Sequence, residues 1–187
     1  MGLIDSVLGR TRVPKANEDR LFAMSTAAVG LEAGGLKPAG RVGLVFKRLP
    51  PGRFERLEAD LTQLLTLQGS DSGVVLKTST DAFGFEWLVL EGDGIQALLA
   101  ALHSAAVSLI EDGLGDQLLA AVFRFDQGEL PVYWVYGYKQ GTFYPFVPLA
   151  ERKRDNAEEI RLAALAQSEL PVERDPALWY ALWGAPL

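Results

Sequence analysis

The chain has 187 residues, 49% hydrophobic and 22% charged, a balance that predicts one folded domain with a substantial core rather than a disordered chain. Its formal net charge is −6 and no basic stripe runs along it, so we predict no nucleic-acid partner. It contains no cysteine, which excludes disulfides and thiolate chemistry. It has neither an apolar run of membrane-spanning length nor a signal-peptide pattern, so we expect a cytoplasmic protein.

The first nine residues form a short amphipathic segment. Its apolar residues share one helical face and are Leu3, Ile4, Val7 and Leu8. A basic, proline-containing linker follows, so we divide the chain into residues 1–15 and a single domain of residues 16–187. Two interpretations stay open for the segment: a helix docked on the core, or an interfacial helix whose four apolar residues make weak contact with a membrane surface.

Helices and strands alternate in the first part of the domain. We predict a helix over residues 17–32 with Asn17 as its cap, a strand over 41–49 and an amphipathic helix over 54–68. Residues 74–91 have the pattern of a β-hairpin. The longest helix follows, with Asp93 as its predicted N-cap, and ends at Gly113.

Half of the aromatic residues lie between Phe123 and Pro148. This stretch predicts three strands joined by tight turns at 126–129 and 139–142, each with a glycine suited to positive φ. The middle strand, Val132–Tyr138, is apolar on both faces, so we expect it to be covered on both sides. A capping box at Asp155 opens a helix over residues 156–168. The tryptophans near the C-terminus predict a tail packed onto the body.

This succession of elements predicts an α+β fold. Because consecutive strands are joined by short turns, we expect a mostly antiparallel sheet with helices packed against it. The layout is similar to that of secretion chaperones, in which a helix separates two groups of strands. Such an analogy carries little information about function.

The residue pattern contains no recognisable catalytic, cofactor or metal site. His103 is the only histidine, and metal sites usually need two or more clustered ligands. Gly92-Asp93-Gly94 lacks the dinucleotide and phosphate-loop fingerprints. We therefore predict no catalytic residue, no cofactor and no metal. An enzymatic alternative would require four polar residues to converge in a pocket: Lys77, Glu86, His103 and Tyr144.

Surface residues remain as candidates for binding a protein partner. Tyrosine hydroxyls of the aromatic stretch would suit a peptide-binding face, and the basic run at 152–154 would suit an acidic partner segment. The predicted partner contacts are Tyr138, Lys139, Tyr144, Arg152 and Arg154.

Several motifs occur in a fixed order along the chain. They include Met1-Gly2-Leu3-Ile4-Asp5, Leu130-Pro131-Val132-Tyr133, Gly141-Thr142-Phe143-Tyr144-Pro145-Phe146, Leu170-Pro171-Val172-Glu173 and Leu182-Trp183-Gly184-Ala185-Pro186. Their order and spacing resemble the phage-shock-protein-A-associated family called PspAB over essentially the whole chain, and the motif at 141–146 is the most specific. The resemblance implies a role in the phage-shock response, in which a coiled-coil protein guards the inner membrane. It supplies no catalytic residues.

The resemblance implies a non-catalytic regulatory or adaptor protein of the envelope-stress response. Its expected partner is the phage-shock coiled-coil protein or another stress-response protein. Its expected location is the cytoplasm, with peripheral contact at the inner membrane left open because residues 1–10 also resemble the membrane-binding first helix of the coiled-coil protein. Two alternatives remain: a chaperone-like peptide-binding domain, which would form a dimer with an apolar groove, and an enzyme. The oligomeric state is open.

Overall fold

The computed structural model describes residues 20–67 and 73–187. The predicted amphipathic segment, its boundary at residue 16 and the cap Asn17 lie outside these residues, as do the predicted membrane contacts Leu3, Ile4, Val7 and Leu8.

Four α-helices and eight strands, together with three 3₁₀-helices of three residues each, make up the regular structure of the described residues. In chain order the α-helices and strands are α1 (Ala23–Ala33), β1 (Lys37–Phe46), α2 (Arg53–Leu67), β2 (Val75–Thr80), β3 (Glu86–Glu91), α3 (Ile95–Glu111), β4 (Leu118–Gln127), β5 (Leu130–Gly137), β6 (Thr142–Phe146), β7 (Pro148–Leu149), β8 (Lys153–Arg154) and α4 (Asn156–Ala166). The prediction of an α+β fold is confirmed.

Six strands form one antiparallel sheet in the order β2-β3-β1-β4-β5-β6. The β2–β3 hairpin and the β4–β5–β6 meander therefore lie on opposite sides of β1. Strands β7 and β8 form a separate two-stranded ribbon. The prediction that the middle meander strand is covered on both faces is confirmed, because Trp134 and Val135 of β5 point to opposite faces and both are fully buried.

The helices cover one face of the sheet, which we call the helix side. From β4, Phe123 and Phe125 point to this face, whereas Val122 between them points to the other. The apolar stripe of α3 packs here, and its buried alanines allow the helix to lie close to the strands. The buried residues of α3 are Leu98, Leu99, Ala101, Leu102, Ala105, Ala106 and Leu109.

The C-terminal segment, residues 179–187, covers the opposite face, which we call the tail side. Trp179 and Leu187 are buried against it, and Leu182 and Trp183 are partly buried. The chain reaches this face around the β6 edge, where Phe143 donates to the Pro171 carbonyl and accepts from the Glu173 amide, each at 2.8 Å. The predicted packing of the tail onto the body is confirmed.

Two local predictions need correction. Asp93 does not cap α3; the N-cap is Gly94, which has φ 97° and makes no side-chain cap hydrogen bond. The start of the helix predicted over residues 17–32 lies outside the described residues and stays a prediction; within them Arg20 is helical, residues 21 and 22 form a turn, and α1 follows. Strand β1 begins at Lys37 rather than at residue 41, because a bulge with Gly40 at φ 66° lets the strand continue through residues that resemble strand breakers.

The predicted cap of α4 and the predicted turn glycines of the meander agree with the structure. Asp155 caps α4 by accepting from the Glu158 amide at 3.0 Å. Both meander turns contain their predicted left-handed glycine, Gly128 at φ 63° and Gly141 at φ 69°.

Candidate partner-binding cleft

A cleft of about 760 Å³ lies on the tail side, at the end of the sheet where β1 and β5 finish and β4 and β6 begin. We call it the tail-side cleft. Sheet residues form its floor, including Val45, Trp87 and Ala120, and the C-terminal segment forms one wall through Tyr180 and Leu182. The cleft therefore combines an apolar floor with an opening to solvent, which is the usual form of a binding site.

Two lysines flank the start of β4 inside this cleft. Lys47 directly follows β1, and its backbone amide donates to the Gln117 carbonyl at 2.9 Å. On the other side of β4, the Tyr138 amide donates to the Leu119 carbonyl at 3.1 Å, which places Lys139 in the cleft. Both lysines are exposed, and neither forms an ion pair with a residue that the structure describes.

The carboxylate of Asp81, at the rim of the cleft, has a structural role. Its Oδ1 accepts from the amides of Phe83 at 2.8 Å and Phe85 at 3.0 Å, and its Oδ2 accepts from the Trp87 indole at 3.0 Å. Partial burial opposes ionisation, but these hydrogen bonds together with the Gly84 amide lower the pKa of Asp81. Asp81 therefore shapes the β2–β3 turn and orients Trp87 on the cleft floor.

Glu173 has a similar structural role on the opposite rim. Its two oxygens accept from the Thr142 hydroxyl at 3.0 Å and from the Asp175 amide at 3.1 Å. The third carboxylate of the cleft, Asp116, is exposed on the turn before β4. Two of the three carboxylates thus accept hydrogen bonds from within the protein, whereas the two lysine side chains form no such bonds with the described residues.

Tyr144 anchors the wall of the cleft. It is buried, and its hydroxyl is hydrogen-bonded to the backbone of Tyr180 in the C-terminal segment. Burial raises the pKa of Tyr144, and the bond to Tyr180 offsets only part of this effect. The phenol therefore stays neutral and holds the segment beside the sheet.

The five predicted partner contacts do not form one surface. Lys139 and Tyr144 both line the tail-side cleft. Tyr138 is fully buried on the helix side, where its ring packs edge-on to that of Tyr136 with centroids 5.3 Å apart. The prediction that Tyr138 contacts a partner is wrong for this fold, because the side-chain alternation of β5 continues past its last residue and directs the ring into the core.

The other two predicted contacts belong to the β7–β8 ribbon. Arg152 is exposed at its tip with φ 55°, next to Glu151 with φ 58°. Arg154 is directed inward instead. Its Nε lies 2.9 and 2.8 Å from the two oxygens of Glu159, and its Nη1 donates to the Trp179 carbonyl at 2.8 Å. Arg154 therefore ties α4 to the C-terminal segment.

Glu159 is the residue that sequence reasoning missed. It is only 1% exposed, and one of its oxygens also accepts from the Val147 amide at 2.8 Å. In the sequence it resembles a carboxylate placed to suit the positive start of a helix. The signal that distinguishes it is its position three residues before the buried Leu162 on the inward face of α4.

The four residues named for an enzymatic pocket lie apart. Lys77 pairs with Glu91 on the β2–β3 hairpin at 2.7 Å, and this hydrogen bond lowers the pKa of Glu91. Glu86 accepts from the Leu49 amide, and His103 packs against Phe22 in the helix layer. Tyr144 lies on the tail side, which is the face opposite to His103, and at the other edge of the sheet from Lys77. That enzymatic pocket does not exist in this fold.

A family model described as PspA associated protein B matches residues 1–187, the whole chain. The chain belongs to this PspAB family. The family's name records an association with PspA, a coiled-coil stress-response protein. No curated protein and no solved structure matches the chain, so the likeness of this PspAB protein to secretion chaperones stays an analogy of layout.

The described part of this PspAB protein contains neither a helix suited to cross a membrane nor a cluster of metal-binding side chains. Among the helices of residues 20–67 and 73–187, none combines the length and the apolar character needed to cross a bilayer. In the same residues, no three His, Asp or Glu side chains are grouped so that they could hold a metal ion.

Proposed function

We propose that this PspAB protein is a non-catalytic adaptor of the phage-shock response that binds PspA directly. The observation that carries the proposal is the family match over the entire chain, because the family's name associates its members with PspA. The tail-side cleft supports it by offering an apolar concave surface with two lysines that form no ion pair within the described residues.

Isothermal titration of purified PspA into the full-length protein tests this function. Saturable binding with a fixed stoichiometry is the expected result. The absence of heat and of co-elution in size-exclusion chromatography, with and without liposomes, would remove direct PspA binding as the function.

A location at the inner-membrane surface is the second part of the proposal. It depends on residues 1–9, whose apolar side chains are Leu3, Ile4, Val7 and Leu8. Liposome flotation of the full-length protein and of a variant lacking residues 1–9, each with and without PspA, separates the two routes to the membrane. If only the full-length protein floats alone, the segment is the membrane contact. If both float only with PspA, the domain reaches the membrane through its partner.

The apolar floor of the cleft also favours a second candidate, a chaperone-like peptide binder. Such a protein would bind unfolded segments of unrelated sequence and would form a dimer. Binding of several unrelated apolar peptides with similar affinity, together with a dimeric mass by analytical ultracentrifugation, would favour this candidate over the PspA adaptor.

A further inference from the structure

The two lysines of the tail-side cleft have a defined spacing. Lys47 lies beside Gln117 on one side of β4, and Lys139 follows Tyr138, which pairs with Leu119 on the other side. Two strand spacings therefore separate their Cα atoms, a distance of about 10 Å. Each lysine carries an ammonium group whose three donors have no acceptor among the described residues.

An apolar strip lies between these lysines. It consists of the first residues of β4 on the tail side, Leu119 and Ala120, with Val45 and Trp87 beside them. A ligand that spans both ammonium groups must cross this strip. It therefore needs a carboxylate or another anionic group at each end and an apolar group in the middle.

A helix with a heptad pattern has this arrangement. Two carboxylates seven residues apart lie on one face of a helix about 10 Å from each other along its axis. A residue three or four positions after the first carboxylate lies midway on the same face. Coiled-coil helices commonly carry glutamates at heptad-repeated positions that flank the apolar seam.

We propose that the tail-side cleft is the surface that binds PspA, and that it receives a helical segment presenting two carboxylates a heptad apart on either side of an apolar side chain. This rests on the proposed function, since it names the surface and the partner chemistry of that binding. The helix lies across the mouth of the cleft, its carboxylates reach Lys47 and Lys139, and its apolar side chain contacts the partly exposed Leu119.

The attraction in this complex is local. Asp81, Asp116 and Glu173 lie in the same cleft as the two lysines, so the formal charges of the cleft nearly cancel. Asp81 and Glu173 direct their oxygens at the protein's own donors. The charges that stay open to a ligand are then the two ammonium groups and the single carboxylate of Asp116, so the balance of the open charges is positive. Specificity therefore depends on the two direct pairs rather than on a long-range field.

Charge reversal in the cleft is the central experiment. We compare the affinity of PspA for the wild type, for the double variant Lys47→Glu with Lys139→Glu, and for Lys37→Glu. Lys37 is a matched control, because it is an exposed lysine at the other end of β1, outside the cleft. The double reversal is expected to weaken the affinity about a hundredfold, which is about tenfold for each lysine, and the control to leave it within about twofold. The melting temperature of the double variant should stay near that of the wild type, because neither Lys47 nor Lys139 forms an ion pair with the described residues.

A pair of synthetic helical peptides tests the chemistry independently of PspA. One peptide carries two glutamates seven residues apart around a leucine, and the other carries lysines at the same two positions. The wild type should bind the glutamate peptide, and the double variant should bind the lysine peptide instead. This exchange of preference requires direct contact with positions 47 and 139 and cannot come from misfolding.

Several outcomes would overturn the inference while leaving the proposed function intact. PspA binding that survives the double reversal places the contact elsewhere, and its loss in Arg152→Glu would move it to the β7–β8 ribbon. Tighter binding of dodecyl phosphate than of the glutamate peptide would make the cleft a site for a small amphiphile. Failure of PspA to bind the wild type removes both the surface and the proposed function.

Discussion

The two faces of the sheet are covered in different ways. On the helix side, four helices satisfy their own backbone hydrogen bonds and pack by side chains alone. On the tail side, the C-terminal segment has no regular structure, and among the described residues no backbone-to-backbone hydrogen bond joins residues 180–187 to the sheet. The segment covers the face with the side chains of Trp179, Trp183 and Leu187.

Two arginines donate hydrogen bonds to backbone oxygens at the two ends of this segment. Arg154 donates to the Trp179 carbonyl at 2.8 Å, and Arg124 donates to the Leu187 backbone oxygen at 2.9 Å. Each arginine is itself held by a carboxylate, Arg154 by Glu159 and Arg124 by Asp126.

An irregular segment needs such partners or water for its backbone, so it covers a face less completely than helices do. The tail-side cleft is the part of the sheet that it leaves open. The helix side is therefore covered by regular elements, whereas the tail side combines packing by an irregular segment with an open cleft.

Removal of the buried carboxylate at the base of the ribbon should have one of the two largest effects. Glu159→Ala leaves the Arg154 guanidinium and the Val147 amide without their acceptor, so we expect the free energy of unfolding in urea to fall by about 3 kcal/mol. The neighbouring Glu158→Ala removes a partly exposed pair with Arg161 and should cost only about 0.5 kcal/mol. Equal losses would show that the Arg154–Glu159 pair does not anchor the tail side.

A matched pair of leucine truncations compares the two faces directly. Leu99 of α3 is fully buried on the helix side, and Leu187 is 6% exposed on the tail side. Leu99→Ala should lower the unfolding free energy by about 3 kcal/mol, because it leaves a cavity that rigid helices cannot close. Leu187→Ala should cost about 1 kcal/mol, because the irregular segment can relax. A loss for Leu187→Ala as large as that for Leu99→Ala would contradict the difference between the faces.

A glycine of β1 tests how closely the segment approaches the sheet. A Cβ at Gly43 would lie 3.0 Å from Cε3 of Trp87 and 3.2 Å from Cδ2 of Leu187. Gly43→Ala should therefore overpack the tail side, cost about 1–2 kcal/mol and speed hydrogen exchange in the C-terminal segment. Combining it with Leu187→Ala should cost less than the sum of the two single changes, because the smaller side chain removes one of the contacts. Strict additivity would show that Leu187 does not limit the space at Gly43.

The Asp81 carboxylate should produce the smallest effect, and one that depends on pH. Its pKa is lowered from the usual 3.8, so its stabilising contribution is fully present above that pH and is lost as the pH falls through the lower folded-state pKa. Asp81→Asn should therefore be less stable than the wild type at neutral pH, and the difference should shrink as the pH falls below 3.8. Asp116→Asn, on the same cleft, is the control. A difference between wild type and Asp81→Asn that is constant across this range would contradict the expectation.

Local order along the chain was predictable from the sequence. The helical stripe of α3, the turn glycines Gly128 and Gly141 and the Asp155 cap all lie where their residue types place them, because each depends on neighbours within a few positions. The same local rules missed the start of β1, since Pro38 and Gly40 resemble breakers unless the bulge that accommodates them is known.

The candidate site was predictable only in part. Lys139 and Tyr144 were singled out because they belong to one aromatic stretch, and both lie in the cleft. Their neighbours Lys47, Trp87 and Leu182 come from β1, β3 and the C-terminal segment, and no spacing in the sequence relates them. Tyr138 was assigned to the surface although it is buried, since one further step of strand alternation decides the direction of its ring.

By itself, the sequence determined the α+β class, most of the helices and strands, the Asp155 cap and the family. The tertiary structure decided that β1 lies between the hairpin and the meander, and that the C-terminal segment crosses the β6 edge to cover the second face. It also decided that the cleft opens beside that segment. The physical reason is the separation along the chain of the residues that interact. Periodicity and capping depend on residues a few positions apart, whereas strand order and the covering of a face depend on contacts between residues far apart in the chain.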